Sequence, residues 1–214
     1  KTILNFKPDY IFHFAAQSIV SKSYEDPIGT WETNTMGTLN ILETLRTFKH
    51  NCVAVIITSD KSYRNFEIKR GYLENDILGG NDPYGGSKAA AEIGIRIYFE
   101  SFLKNKKNIK IGVARAGNVI GGGDWTNNRL IPDCIRGWSK NRPVIIRSLK
   151  STRPWQHVLE AIYGYMIFAC RLRKNSLLNG HAFNFGPKNR NDYSVNSVLL
   201  QAQKNWKNAK WVFK

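Results

Sequence analysis

The amino-acid sequence predicts an α/β fold with a doubly wound parallel sheet and a smaller C-terminal lobe. Three observations indicate this fold. Short apolar runs that suit buried parallel strands alternate with amphipathic segments of helix length. Small and polar residues follow those runs directly, at the strand ends where doubly wound folds bind ligands. Beyond Asn118 the alternation breaks, and three consecutive glycines and aromatic-rich stretches follow.

These patterns assign the expected elements in chain order. Strands are predicted at residues 10–14, 53–57, 109–114, 144–146 and 182–185, and helices at 30–48, 84–102, 160–172 and 194–206. In the first helix Leu39, Leu42 and Leu45 repeat at the spacing of an inward face. We therefore expect a main domain at 1–117 and a lobe at 118–214, with residues 160–186 returning to the main domain.

Composition restricts the class of protein. The 214 residues are 42% hydrophobic and 12% aromatic, which is typical of a globular chain and not of a disordered one. No apolar run approaches the roughly 20 residues needed to cross a bilayer, so no membrane partner is expected. Cys52, Cys134 and Cys170 lack C-x-x-C spacing, and we expect buried thiols in a reducing, cytoplasmic location, with no metal site.

The net charge of +16 raises the question of a nucleic-acid partner. The basic residues are scattered, however, over the segments 104–110, 171–174 and 204–214, and they form no recognised binding motif. We therefore expect no nucleic-acid role. The excess positive charge could instead steer an anionic ligand toward its cleft.

Tyr84 and Lys88 form the strongest functional motif of the chain. They lie four residues apart, and a helix places residues i and i+4 on one face, so the ammonium would lie beside the phenol. A free tyrosine has a pKa of about 10, and a neighbouring cation favours the phenolate. Lowering that pKa by about 3 units needs about 4 kcal/mol, more than Lys88 alone is expected to supply. A phenolate here therefore requires a second cation.

The motif and its neighbours resemble a known family. A Tyr-x-x-x-Lys pair with an upstream Ser or Thr is similar to the extended short-chain dehydrogenase/reductase family, whose members act on nucleotide-activated sugars. The segments 117–125, 129–133 and 152–160 closely resemble one branch, the CDP-glucose 4,6-dehydratases, and the resemblance covers nearly the whole chain. It implies a Rossmann-like NAD-binding main domain, a substrate-binding lobe, NAD as cofactor and CDP-glucose as substrate.

The resemblance also implies contacts to NAD. In the family the turn that here covers 15–17 lies against the NAD ribose and phosphates, although small residues also suit a tight strand-to-helix turn. Asn34 matches a family asparagine that braces the active-site backbone, the alternative being a solvent-facing side chain. A cationic nicotinamide would supply the second cation beside the phenol. The expected cofactor-binding residues are Ala15, Ala16, Gln17, Asn34, Thr58, Tyr84 and Lys88.

The start of the chain departs from the family pattern. Family members carry a glycine-rich turn that cradles the NAD pyrophosphate, and no G-x-G-x-x-G stands before His13. The chain also begins with Lys1. We therefore expect an internal fragment in which the N-terminal glycine-rich βαβ portion is absent.

Asp60 and Lys61 form a second chemical site at the end of the second strand. Many sugar-nucleotide dehydratases carry Asp-Glu here, the aspartic acid as proton donor and the glutamate as base. The CDP-glucose branch resembles this chain in having Asp-Lys, which leaves the base at the sugar C5 open. A lysine could serve if it were desolvated and close to other cations, because both lower its pKa. The other interpretation is an exposed charged pair.

The family's third catalytic hydroxyl and its substrate contacts are also assigned. Ser59 is the expected partner of the Tyr-Lys pair, with Thr58 as its competitor, since a shift of one residue along a strand reverses the face. The catalytic set is then Ser59, Asp60, Lys61, Tyr84 and Lys88. A guanidinium binds phosphate in a bidentate fork, and the expected substrate-binding residues are Asn118, Arg129, Leu130 and Arg153. His157 is expected to be structural.

The predicted function is dehydration of CDP-glucose to CDP-4-keto-6-deoxyglucose by internal hydride transfer from C4 to C6. One alternative is another nucleotide-sugar dehydratase or a C4 epimerase of the same family, and a second is a non-catalytic fragment or basic binding module. The family associates through two helices flanking the active-site strand. Here the helix at 84–102 has more apolar residues than one inward face needs, which predicts a homodimer or homotetramer.

Overall fold

The computed structural model of the protein describes residues 1–187 and 193–213. The chain divides into two compact units. The first comprises Lys1–Ala116 and Ile162–Phe185, and the second comprises Gly117–Ala161 and Gly186–Lys214. The roles predicted for the two parts of the chain, cofactor binding and substrate binding, stay predictions.

The elements are numbered here along the described part of the chain. They are α1 (Thr2–Phe6), β1 (Tyr10–His13), α2 (Val20–Glu25), α3 (Pro27–Trp31), α4 (Gly37–Thr47), β2 (Cys52–Ser59), α5 (Pro83–Tyr98), β3 (Ile109–Ala116), β4 (Val119–Ile120), α6 (Leu130–Trp138), β5 (Val144–Ile146), β6 (Thr152–Arg153), β7 (Gln156–His157), α7 (Val158–Lys174), β8 (Ala182–Phe185), β9 (Tyr193–Ser194), α8 (Val195–Asn205) and β10 (Trp211–Phe213). Short π-helical turns cover Glu32–Met36 and Phe99–Leu103, and 3-10 turns cover Asp60–Ser62 and Ser176–Leu178.

A four-stranded parallel sheet forms the centre of the first unit, in the order β1-β2-β3-β8. Strand β2 is buried almost throughout, as its continuous apolar sequence predicts for a central parallel strand. Because all four strands run the same way, the ends of β1, β2 and β3 lie at one edge of the sheet. The predicted α/β fold with a parallel sheet is confirmed.

Helices and strands both contribute side chains to the core of the first unit. Helix α4 contributes Leu42 and Leu45, which are fully buried, and Phe48 follows at its end. These side chains pack with buried residues of β2, β3 and α5, among them Ile56, Ile111 and Ile95. The periodicity that predicted an inward face on this helix is therefore realised in the packing.

The helix predicted at 30–48 differs from the observed one in its start and in its regularity. It begins at Pro27, where proline needs no amide partner, and the Asp26 carboxylate accepts the Gly29 amide at 2.9 Å. Between α3 and α4 the chain makes the π turn Glu32–Met36. A π turn adds one residue to a helical turn, and apolar periodicity does not reveal so small an insertion.

The second unit has its own apolar core. Helices α6 and α8 and the parallel pair β5 and β10 enclose it. Its buried side chains are Cys134, Trp138, Val144, Ile146, Leu199 and Ala209. The indole of Trp138 donates to the Lys210 carbonyl at 2.8 Å, which ties α6 to the start of β10. The sequence analysis predicted no strand at Trp211–Phe213.

The cysteines are free thiols in two different settings. Cys52 and Cys134 are buried, as predicted, and burial raises the pKa of Cys52 to about 11 and that of Cys134 to about 12. Cys170 is exposed on α7, so the prediction of three buried thiols is wrong at this position. A cytoplasmic location stays a prediction. Among the described residues, no helix combines the length and the apolar character that spanning a bilayer requires.

Candidate active site

Helix α5 starts close to the end of strand β2. The Asp82 carboxylate caps it by accepting the Gly85 amide at 2.8 Å, and Pro83 occupies the first helical position. From this start Tyr84, Lys88 and the next residue in the series, Glu92, follow at intervals of four. Their exposed fractions are 8%, 5% and 5%, so all three lie on the buried face.

Gly85 allows the helix to touch the segment after β2. A Cβ atom at this position would lie 2.6 Å from the Lys61 carbonyl oxygen, which is closer than side chains and backbone approach one another. The first turn of α5 therefore packs directly on the 3-10 turn Asp60–Ser62. Sequence reasoning did not single out this glycine, because a close approach to another segment leaves no local pattern.

The end of β2 presents two neighbouring hydroxyls to different surroundings. The Ser59 hydroxyl donates to the Asp60 carboxylate at 3.1 Å and accepts the Lys61 amide at 3.2 Å. The Thr58 hydroxyl donates to Glu92 at 2.6 Å in the interior. Of the two candidates for the third catalytic hydroxyl, Thr58 is therefore the one bound to an interior carboxylate, and the choice between them stays a prediction. A cofactor contact from Thr58 stays a prediction, as does the catalytic role of Ser59.

Lys88 is a buried cation. Its ammonium donates to the Ile57 carbonyl at 3.2 Å. Burial lowers its pKa to about 8, partly opposed by the negative charge of Glu92. The pKa of His13, at the end of β1, is also lowered, first by burial and then by Lys88. Lys88 thus interacts with Ile57 near the end of β2 and with His13 at the end of β1.

The turn that follows β1 is held by Asn34. The Gln17 amide donates to the Asn34 side chain at 2.8 Å, and the Asn34 amide group donates to the Gln17 carbonyl and the Ser87 hydroxyl, each at 2.9 Å. Asn34 is fully buried in the π turn, so the alternative of a solvent-facing side chain is wrong. Its contacts fit the bracing role, and direct contact with a cofactor stays a prediction. Ala15 is exposed beside this turn, and Ala16 is half-buried.

Lys61 does not have the surroundings that would let a lysine act as a catalytic base. Its side chain is 45% exposed, and its ammonium lies 3.6 Å from the Asp82 carboxylate. The condition stated for a catalytic role, burial beside other cations, is therefore not met. The catalytic role of Lys61 stays a prediction.

The predicted substrate-binding residues all belong to the second unit. Arg129 contacts Asp124 at 3.2 Å, and Leu130 is the first residue of α6. Arg153 is exposed, and its guanidinium donates to the Thr152 carbonyl at 2.6 Å. The Asn118 carbonyl accepts a backbone amide at 3.1 Å. Their role toward a substrate stays a prediction.

His157 caps helix α7. Its ring nitrogen Nδ1 accepts the Leu159 amide at 3.2 Å, and its own amide donates to Glu160 at 3.3 Å. These contacts agree with the structural role expected for it.

Sequence reasoning missed a buried ion pair behind the strand ends. Glu92 of α5 and Arg115 of β3 form a bidentate pair, and their side chains are 3% and 4% exposed. Two signals could have found it. Arg115 is a charged residue that follows the apolar run 111–114 within the strand, and Glu92 continues the spacing of four that joins Tyr84 to Lys88.

Comparisons with known proteins show which family the chain resembles. A family model described as GDP-mannose 4,6 dehydratase matches residues 1–208. The CDP-glucose 4,6-dehydratase of Salmonella typhimurium is 44% identical over 216 residues, covering 99% of this chain and 60% of that protein. The dTDP-D-glucose 4,6-dehydratase of Dictyostelium discoideum is 27% identical, covering 84% of this chain and 41% of that protein. The chain therefore spans less than two thirds of the length of each of these relatives.

A solved structure shows the same fold. The UDP-glucuronic acid 4-epimerase of Bacillus cereus, in complex with UDP-glucuronic acid and NAD, superposes with a TM-score of 0.84 at 22% identity. The match covers 98% of this chain and 63% of that one. Since the family model matches the chain from its first residue to residue 208, this chain belongs to the GDP-mannose 4,6-dehydratase family.

Proposed function

We propose that the complete protein is an NAD-dependent dehydratase that converts CDP-glucose to CDP-4-keto-6-deoxyglucose. The observation that carries this proposal is the contact of Ser59 with Asp60, on a turn that packs against the helix bearing Tyr84 and Lys88. A set of residues suited to oxidising a hydroxyl then adjoins a carboxylic acid suited to expelling one. The 44% identity to a CDP-glucose 4,6-dehydratase supports the choice of branch and substrate.

The residues at the ends of β1 and β2 fit a bound dinucleotide. The Lys88 ammonium has three N–H donors, and one goes to the Ile57 carbonyl. A buried cation with further donors suits the hydroxyls of a ribose. The exposed Ala15 and the braced Gln17 offer a small side chain and an ordered backbone where a ligand would approach. When bound, NAD accepts a hydride from the sugar C4 and returns it to C6.

The oxidation half of the reaction uses the face of α5 that points inward. Tyr84 takes the proton from the sugar O4 as the bond from C4 to hydrogen breaks. Lys88 favours the phenolate that does this, since a neighbouring cation lowers the pKa of a phenol. Ser59 hydrogen-bonds O4 and holds it toward Tyr84. The product of this half is a 4-keto sugar whose C5 proton is acidified.

The elimination half uses the turn after β2. The C5 proton is removed, the bond from C6 to oxygen breaks, and Asp60 gives its proton to the departing hydroxyl, which leaves as water. The double bond between C5 and C6 would then take up a hydride at C6, and the base that removed the C5 proton would return it to C5. Lys61 would have to leave Asp82 to act as the base at C5, and that base stays unassigned.

The second unit supplies residues suited to the nucleotide part of the substrate. Arg153 is exposed, and a guanidinium can hold two phosphate oxygens at once. Arg129 is half-exposed beside Asp124, so its charge is shared with that carboxylate. We assign Asn118 and Leu130 to the same nucleotide sugar. The net charge of +16 would favour the approach of an anionic diphosphate.

A C4 epimerase is the second candidate, because Tyr84 and Lys88 alone would serve it. An epimerase needs no acid directed at the C6 hydroxyl, so Asp60 separates the two functions. A non-catalytic fragment or basic binding module would need neither Tyr84 and Lys88 nor Asp60.

The test is single turnover of CDP-glucose by the full-length protein with NAD, with the sugars trapped by reduction and identified by mass spectrometry. Tyr84→Phe should form neither the 4-keto sugar nor the dehydrated product. Asp60→Asn should still form the 4-keto sugar, while loss of water slows by about 100-fold or more, the usual contribution of a general acid. Asp9→Asn, which changes an exposed carboxylate, is the control.

Three outcomes contradict the proposal. Near-normal turnover by Tyr84→Phe would exclude it as the base. Equal loss of both steps in Asp60→Asn would make Asp60 a residue that positions substrate. A wild-type protein that inverts C4 without losing water would be an epimerase.

We also propose that the protein forms a two-fold dimer through α4 and α5. Ile93 and Ile97 on the outer face of α5 are 48% and 52% exposed, and Met36 before α4 is exposed as well. Ile95, between the two isoleucines, is buried in the core, so these residues belong to different faces. The same two helices of a second copy would cover the exposed isoleucines.

A further inference from the structure

The Glu92 carboxylate accepts hydrogen bonds from both sides of the turn after β2. The Glu92 oxygen Oε1 accepts the Thr58 hydroxyl at 2.6 Å, just before Ser59 and Asp60. The Ser62 hydroxyl, just after them, lies 3.0 Å from the same oxygen and 2.6 Å from the Ser59 carbonyl. A hydroxyl has one proton, so Ser62 bridges these two acceptors. The five-residue segment from 58 to 62 is therefore held at each end by one atom of α5.

Arg115 completes this attachment from the sheet side. Its guanidinium holds both oxygens of Glu92, through Nε at 2.9 and 2.8 Å and through Nη2. Its Nη1 donates to the Tyr63 hydroxyl at 2.6 Å and to the Glu74 carbonyl at 2.9 Å. The guanidinium also stacks over the Tyr63 ring, 4.8 Å from its centre. The residue that follows the turn is thus fixed as well.

Stability alone does not account for such a pair. Desolvating two charges costs about as much as their attraction returns, and buried pairs can often be replaced by apolar residues without loss. The best attested use of a buried ionic group is to select one arrangement over others. Here the selected arrangement joins two groups that the proposed reaction needs at fixed separation. Tyr84 and Lys88 stand on the same helix as Glu92, whereas Ser59 and Asp60 stand on the turn.

We propose that Glu92 is a positioning residue that fastens the turn carrying Ser59 and Asp60 to the helix carrying Tyr84 and Lys88. Its role in catalysis rests on the proposed function, whereas its role in ordering the turn does not. Thr58 and Ser62 transmit its effect, and Arg115 holds it in place. None of these four residues needs to touch the sugar.

The ordering role can be measured without any activity. In the full-length protein, Thr58→Val and Ser62→Ala remove the hydroxyls while leaving the Glu92–Arg115 pair intact. Hydrogen exchange of the amides in residues 59–63 should rise by about 10-fold or more, the scale expected for losing a hydrogen bond to a charged group. Thr58→Ser keeps the hydroxyl and should exchange at the wild-type rate. Thr44→Val, which removes a hydroxyl from the exposed side of α4, should leave this segment unchanged.

The catalytic role is measured on the same variants with CDP-glucose and NAD. Thr58→Val and Ser62→Ala should lower kcat by about 10-fold at unchanged KM, and Thr58→Ser should restore it. Unchanged exchange in both hydroxyl-free variants, or equal damage from Thr58→Ser and Thr58→Val, would overturn the proposal. Faster exchange in a protein that does not dehydrate CDP-glucose would instead refute the proposed function and leave the ordering role standing.

Discussion

Helix α5 departs from the pattern of an ordinary surface helix on both of its faces. The inward face carries Tyr84, Lys88 and Glu92, all nearly inaccessible, whereas the outward face carries Ile93 and Ile97, each about half exposed. A helix in a simple globular protein buries its apolar stripe and exposes its charges. Buried charges must find partners, and exposed apolar surface is costly unless something covers it. The inward charged residues are those that the proposed reaction would use, and the outward isoleucines are those that the proposed dimer would cover.

The two charges on the inward face are satisfied in different ways. Glu92 has a complete partner in Arg115, whereas Lys88 is held by the Ile57 carbonyl and has its pKa lowered by burial. We therefore expect Glu92 and Arg115 to be needed as a pair, and Lys88 to reduce stability in return for its function.

The largest effect on stability should come from Arg115→Met. It leaves the Glu92 carboxylate buried without its cation, and breaking a buried pair in this way costs about 3–5 kcal/mol of unfolding free energy. Glu92→Gln combined with Arg115→Met should recover most of the loss, because glutamine keeps an acceptor for the Thr58 hydroxyl. Urea unfolding of the three proteins measures this. Arg46→Met, which removes an exposed pair with Glu43, is the control and should have a much smaller effect.

Equal losses in Arg115→Met and in the double variant would contradict this account. They would show that the packing of the arginine side chain matters and that its charge does not.

A smaller effect of opposite sign is expected from Lys88→Met. Burial lowers the pKa of Lys88 from 10.5 to about 8, so the folded state carries a penalty of about 3 kcal/mol while the group is protonated. The unfolded chain binds the proton more tightly, so wild-type stability should rise as pH increases from about 8 to 10.5. The variant lacks this rise and should be more stable at neutral pH by about 1–2 kcal/mol, once the lost bond to Ile57 is subtracted.

The measurement is unfolding free energy as a function of pH for wild type and Lys88→Met. Lys61→Met, at the exposed lysine beside Asp82, is the matched control and should show no comparable rise. A difference between wild type and Lys88→Met that stays constant from neutral pH to above the pKa of Lys88 would contradict the burial penalty.

The two faces also differ in how far the sequence predicted them. The strands, the helices and the shared face of Tyr84 and Lys88 follow from local periodicity, since spacing alone decides which residues share a face. The excess of apolar residues on α5 was visible for the same reason. These predictions needed no knowledge of the residues that each face contacts in the folded protein.

The partners of the inward face could not be predicted in the same way. Arg115 lies 23 residues beyond Glu92, and only the register of β3 brings them together. The different surroundings of Thr58 and Ser59 likewise depend on which way the end of β2 turns, and Thr58 turns toward Glu92. The contact of Lys61 with Asp82 likewise joins residues 21 positions apart. Each of these is a tertiary contact with no local pattern.

The smallest effect on the stability of the protomer should come from Ile97→Lys, although it should change the assembly most. The side chain is 52% exposed, so at low protein concentration the unfolding free energy should change by less than about 0.5 kcal/mol. If the outward face of α5 lies at a two-fold interface, two lysines would face each other there without a counter-ion. Wild type should then sediment as a dimer and Ile97→Lys as a monomer. Leu177→Lys places the same charge at a residue that is 83% exposed outside this face, and it should remain dimeric.

A dimer that persists in Ile97→Lys combined with Ile93→Lys would exclude this face as the interface. A wild-type monomer would mean that the exposed isoleucines are not covered by a second copy of the chain.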